Sequence, residues 1–105
     1  DDMPFCMAGL WETWGPVDQS VETCTIITTE ANATLKPLHE RMPVILGSDD
    51  YDFWLDTEFC DERRLQELLR PVPNQDLVMR EVSRVVNKVA NDSPACIEPE
   101  ATLFD

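Results

Sequence analysis

The stretch that most constrains this chain is residues 4–14, PFCMAGLWETW, because both of its alternating residue sets are apolar. On an extended backbone Phe5, Met7 and Trp11 face one way, and Cys6, Ala8, Leu10 and Trp14 face the other. A strand of this kind expects cover on both faces. Glu12 falls in the second set, a carboxylate among core residues. Gly15-Pro16 ends the strand. Residues 21–29 (VETCTIITT) are rich in β-branched side chains and read as a second strand, pairing with the first as a hairpin.

The rest of the chain is punctuated more closely. Thr29 is placed to cap a short helix carrying Ala31, Leu35 and Leu38, which Pro37 limits. Residues 42–46 (MPVIL) read as a short buried strand. Ser48 then suits an N-cap, with Asp49 and Asp50 favoured in the first turn by the helix dipole, and Tyr51, Trp54 and Leu55 form one apolar stripe. A further helix is expected over about 61–70, with Leu65, Leu68 and Leu69 inward and Pro71 as its stop. Residues 77–86 resemble another strand. Strands first, short helices between them and a strand and tail last give an α+β class within one domain spanning 1–105.

Charge narrows the function. Twenty-one acids against eight bases leave the 105 residues at −13, so the chain has no global attraction to nucleic acid or to anionic membranes. Residues 1–35 hold six acids and no Lys or Arg. No apolar run approaches the roughly 18–20 residues of a membrane span, and the acidic start is unlike a signal peptide. The chain opens on Asp1-Asp2 without a Met, which reads as a processed product or a fragment.

Cys6, Cys24, Cys60 and Cys96 stand far apart, and with one histidine in the chain no zinc site is expected. The apolar settings of Cys6 and Cys24 favour buried, reduced thiols. A secreted domain with two disulfides stays open beside that reading, since Asn32-Ala33-Thr34 and Asn91-Asp92-Ser93 match the N-glycosylation pattern.

Three side chains are candidates for chemistry. His39, the sole histidine, is either a proton shuttle or a structural histidine bonded to its neighbours. Glu12 is either a carboxyl group poised by burial or a strand-end carboxylate with a partner. Arg41 could clamp a phosphate or carboxylate with its planar fork, or pair with Glu40 or another acid. Trp11, Trp14 and Trp54 fit a core better than a base-stacking platform. No phosphate loop, nucleophile elbow or carboxylate metal cluster is present, and a nucleophile is missing.

Longer segments carry a resemblance. Ala8-Gly9-Leu10-Trp11-Glu12 is followed in order by TCTIITTEAN at 23–32, LHERMPVIL at 38–46, Trp54-Leu55, Leu68-Leu69-Arg70-Pro71, VSRVVN at 82–87 and NDSP at 91–94. Nearly the whole chain resembles the SOS response-associated peptidase (SRAP) family, the shields of abasic sites in single-stranded DNA. The resemblance implies a mixed α/β architecture about a β-barrel-like sheet with short peripheral helices, incomplete in this chain. It implies a mechanism in which an N-terminal Cys attacks the ring-opened aldehyde of the abasic site and closes a thiazolidine crosslink, with autoprocessing of the protein's own N-terminus. By the match to GLWE, Glu12 would be the active-site glutamate; by the match to LHxRMP, His39 would be the acid/base histidine and Arg41 a contact to DNA phosphate.

The departures define further expectations. The family's Met-Cys-Gly start and its Asn-Ala-Arg segment are absent, so the chain is expected to be the C-terminal part of an SRAP domain, inactive alone. None of the four cysteines matches the family nucleophile. Ala90 and Ser93 stand where the family commonly has Arg and Gly. The implied partners are single-stranded DNA with abasic sites and the missing N-terminal part of the domain. A homo-oligomer is open as well, and no membrane or cofactor is involved. The implied setting is the bacterial cytoplasm, at the nucleoid. The competing expectation is a non-catalytic acidic interaction module that has kept the SRAP core.

Overall fold

Three extended segments carry the fold in a computed structural model that describes residues 3–100. Each is interrupted at a single residue. The first comprises β1 (Cys6–Met7) and β2 (Gly9–Trp14), the second β3 (Val21–Ile26) and β4 (Thr28–Glu30), and the third β5 (Arg41–Pro43) and β6 (Ile45–Leu46). All pairing is antiparallel: Cys6 lies opposite Leu46, Gly9 to Trp14 lie opposite Ile26 to Val21, and Thr28 to Glu30 lie opposite Pro43 to Arg41. Each segment therefore pairs with one neighbour at one end and with the other neighbour beyond its interruption.

The interrupting residues close this arrangement. The Ala8 N–H donates to the Val44 carbonyl (2.8 Å), the Val44 N–H to the Ile27 carbonyl (2.9 Å) and the Ile27 N–H to the Ala8 carbonyl (2.9 Å). A buried backbone group without a partner is costly, and this cyclic exchange satisfies all six groups where three backbones meet. Ala8 and Val44 are fully buried there, with Leu46 beside them, and Ile27, Tyr51, Trp54 and Leu68 pack against the cluster. The core sits at the junction.

The β2–β3 hairpin does form, turning through Gly15, whose φ of +99° favours glycine. Its faces are not covered as expected. Trp11 and Trp14 are 72% and 73% exposed, no residue of β2 or β3 is buried, and Glu12 is exposed rather than set among core residues. A two-stranded ribbon has no second layer of its own. The side chain that reaches its base is Trp54, whose Nε1–H donates to the Gly9 carbonyl (3.3 Å). Gly9 is needed there, since a Cβ would lie 2.9 Å from the Thr25 carbonyl oxygen.

The described residues form three two-stranded ladders. The α+β class holds, but no closed barrel is present among them, because closure needs each strand to pair on both edges.

The helices follow their sequence signals with local corrections. A 3-10 turn at Ser48–Asp50, capped by Gly47 rather than by the Ser48 side chain, leads into α1 (Tyr51–Leu55). Leu55 points away from the core at 73% exposure. Helix α2 (Glu62–Leu68) begins at Asp61, whose carboxylate accepts the Arg64 N–H (3.3 Å). Arg64 ties the two helices by an ion pair to Asp50 (3.5 Å) and by lying 4.0 Å over the Phe53 ring.

Two expected elements do not form. Thr29 lies inside β4, and the cap role passes to Asn32, whose Oδ1 accepts the Leu35 N–H (3.0 Å) at the head of a turn over 33–38. Among the described residues, 77–80 pair with no strand, Val82 makes one antiparallel bridge to Pro99 beside the Glu100 N–H to Glu81 carbonyl bond (2.9 Å), and Arg84–Asn87 form a 3-10 turn capped by Ser83.

All four cysteines are free. Cys6, Cys24 and Cys60 are exposed, so the burial expected of Cys6 and Cys24 does not hold, and Cys96 is the buried thiol. The two-disulfide arrangement is absent. Among the described residues no helix is long and apolar enough to cross a membrane.

Candidate functional site

The turn over 33–38 and the start of β5 deliver His39 and Arg41 together. The Lys36 N–H donates to the Asn32 carbonyl (2.9 Å) and the His39 N–H to the Leu35 carbonyl (3.0 Å), so the chain enters β5 in a fixed position. The imidazole then folds over the next residues, and its Nδ1 accepts the Arg41 backbone N–H (2.9 Å). A backbone N–H can only donate, so the neutral ring carries its proton on Nε2. The outward edge of His39 is thus a donor.

Arg41 is set by the strand facing it. Its Nη2 donates to the Thr28 carbonyl (2.9 Å) and to the Thr28 hydroxyl (3.1 Å). Among the described residues it makes no ion pair, so the alternative of pairing with Glu40 or another acid is not seen there. Glu30 is its cross-strand neighbour. One guanidinium nitrogen is spent on orientation, which leaves Nε and Nη1 for an anion.

Glu12 stands on the other ladder, opposite Thr23, whose hydroxyl donates to the Glu12 carbonyl (3.5 Å). Glu12 helps to line a shallow depression of about 530 Å³ formed with Leu10, Trp11, Thr23, Cys24 and Thr25. No hydrogen bond or ion pair among the described residues joins Glu12 to His39 or Arg41. Thr23 and Thr28 are five residues apart on one extended segment, at most about 17 Å of backbone. The structure therefore couples His39 with Arg41 and holds Glu12 apart on the adjoining ribbon.

Several residues of this region carry no catalytic signature in the sequence. Thr28 orients Arg41, although its position in a β-branched run suggests only a strand. Asn32 is buried, and its Nδ2 donates to the Val72 carbonyl (2.9 Å). That amide is engaged, so the Asn-Ala-Thr triplet marks a structural asparagine and not an accessible glycosylation site. Asn74 receives the Ala33 N–H on Oδ1 (2.8 Å) and the Thr34 hydroxyl on its carbonyl (3.0 Å). Beside the junction, a hydrogen bond to the Cys6 thiol, aided by partial burial, raises the Tyr51 phenol above its ordinary value of 10.0. Among the described residues no cluster of three or more His, Cys, Asp or Glu could hold a metal ion.

Comparison with known proteins gives this geometry a context. Residues 1–89 match the family described as SOS response associated peptidase (SRAP). The chain is 42% identical over 95 residues to the abasic site processing protein YoqW of Bacillus subtilis (strain 168), covering 90% of this chain and 42% of that protein. It is 38% identical over 96 residues to the abasic site processing protein HMCES of Gallus gallus, covering 89% of this chain and 28% of that one. The chain thus spans less than half the length of these curated relatives. A crystal structure of a protein from Bacteroides thetaiotaomicron superposes with a TM-score of 0.80 at 27% identity, covering 95% of this chain and 45% of that one. The chain belongs to the SOS response-associated peptidase family.

Proposed function

We propose that this chain is the C-terminal part of an SRAP domain and supplies the acid–base and phosphate-contacting groups of a centre that crosslinks abasic sites in single-stranded DNA. The observation that carries the reading is the His39–Arg41 couple, an imidazole with Nδ1 engaged and Nε2–H outward beside a guanidinium tied to Thr28. The nucleophile is an N-terminal Cys contributed by the complementary part of the domain. Arg41 holds a phosphate flanking the lesion through Nε and Nη1. Glu12 takes the hydroxyl proton of the closed sugar and passes it to the departing ring oxygen, to which His39 Nε2–H donates a hydrogen bond, and this frees the C1′ aldehyde. The amine of the N-terminal Cys adds to that carbon and loses water to give an imine. Its thiol then adds across the C=N bond, forming C–S and returning the proton to nitrogen, so aldehyde and aminothiol become thiazolidine and water.

The same reading extends to the autoprocessing chemistry and to a bacterial cytoplasmic, nucleoid-associated setting. It has the complementary part pair with the open strand edges and complete a barrel-like sheet, although those edges also admit a second copy of the chain. No metal or cofactor enters the steps above.

Glu12→Gln tests the assignment in a domain completed with a Cys-bearing SRAP segment. Crosslinking to abasic single-stranded DNA is expected to slow by about 100-fold, within the usual range for a general acid or base, with no change in melting temperature. The −13 charge favours the competing reading of a non-catalytic acidic module. An unchanged crosslinking rate in both Glu12→Gln and His39→Ala would support that reading and remove these residues from the chemistry.

A further inference from the structure

We infer that a clasp made by Asn32 and Asn74 is the positioning device for the His39 imidazole; its bearing on catalysis rests on the function proposed above. The turn that ends on His39 is held from both sides. Asn32 caps it from within through Oδ1 to the Leu35 N–H (3.0 Å), and reaches out of it through Nδ2 to the Val72 carbonyl (2.9 Å). Asn74, on the 3-10 turn Asn74–Asp76, takes the Ala33 N–H (2.8 Å) on its side chain and the Thr34 hydroxyl (3.0 Å) on its carbonyl. Three hydrogen bonds therefore run between residues 32–34 and residues 72–74, some forty positions away.

The direction of the chain makes this clasp specific to His39. Asn32 fixes Leu35, the Leu35 carbonyl accepts the His39 N–H (3.0 Å), and the imidazole is fixed at its other end by the Arg41 N–H (2.9 Å). The ring thus has two tethers. One runs through Arg41 to the β4–β5 ladder, and the other runs through the turn to residues 72–74. Loss of the second would let the turn rotate about β5 and carry Nδ1 off the Arg41 N–H, leaving the strands intact. Asn32 is 8% exposed and belongs to the packing, whereas Asn74 is exposed. Asn74 is therefore the variant that separates positioning from folding.

The test compares Asn74→Ala with Asn74→Asp, which keeps the Oδ1 acceptor. Amide hydrogen exchange is measured on the full chain, and crosslinking on the completed domain. Asn74→Ala is expected to speed exchange of the Arg41 and His39 amides about tenfold. The Ala8, Ile27 and Val44 amides of the junction should keep their protection, and Asn74→Asp should restore the parent pattern. Unchanged exchange at Arg41, or an equal acceleration at the junction, would overturn the inference. If exchange responds as expected while crosslinking keeps its rate, the clasp still positions His39, and the catalytic role proposed for His39 is the part that fails.

Discussion

Tyr51 and Cys6 join the helical segment to the first strand, and their contact can be measured directly because Tyr51 is the sole tyrosine. The hydrogen bond to the Cys6 thiol, with partial burial, favours the neutral phenol. The folded chain keeps the proton to higher pH than the unfolded one. The stability from this contact is therefore complete below the unfolded value near 10 and is lost as pH rises through the folded midpoint. The phenolate absorbance of the native protein is expected to rise with a midpoint above 10.0, and Cys6→Ala should bring that midpoint down. Gly9 offers a steric counterpart. Gly9→Ala places a methyl group 2.9 Å from the Thr25 carbonyl oxygen, in backbone that cannot yield without parting β2 from β3. A loss of about 1–3 kcal/mol is expected in urea unfolding, as for other overpacked sites.

Among the elements, α2 owes its start to one side chain. Asp61→Ala removes the acceptor for the Arg64 N–H and is expected to cost about 1 kcal/mol, seen as a lower urea midpoint with an unchanged slope. The helix, the β2–β3 hairpin and the extended 42–46 segment were legible in the sequence because their signals are local. Caps, turn residues and β-branched runs act within a few positions. The absence of cover over β2 and β3 was not legible, because alternation reports what a strand demands and not whether a second layer exists. The strand expected over 77–86 fails for the same reason. It has the composition of a strand, but among the described residues its only strand-like pairing is the Val82–Pro99 bridge with the Glu81–Glu100 bond beside it. At the candidate site, the words GLWE and LHERMP mark Glu12, His39 and Arg41. The tautomer of His39 and the anchor of Arg41 depend on contacts with Thr28 and with Arg41's own backbone, which no local pattern encodes.

At the scale of the whole molecule, surface is the dominant fact. A compact monomer of this 12.0 kDa mass exposes about 6,000 Å², whereas this chain exposes 9407 Å². Its radius of gyration is 17.9 Å, against about 13 Å for a compact domain of this length. The excess, roughly 3,400 Å² on this one chain, exceeds the roughly 1,000–2,500 Å² that one partner contributes to an obligate interface. Much of it is apolar, contributed by Leu10, Trp11, Trp14, Val21 and Ile26 on the hairpin. The isolated chain is therefore expected to bind a hydrophobic dye strongly and to lose most of that signal when a Cys-bearing SRAP segment is added; dye binding that is weak from the start would show that the hairpin is already covered.

In the function proposed above, this chain brings Glu12, His39 and Arg41 to a centre whose nucleophile comes from the complementary part of the domain. Incubation with single-stranded DNA bearing one abasic site, followed by a denaturing gel, tests it most directly. No adduct is expected with the 105 residues alone, and a stable protein–DNA adduct is expected once the Cys-bearing segment is supplied. An adduct formed by the chain alone, or none in the completed domain, would contradict it.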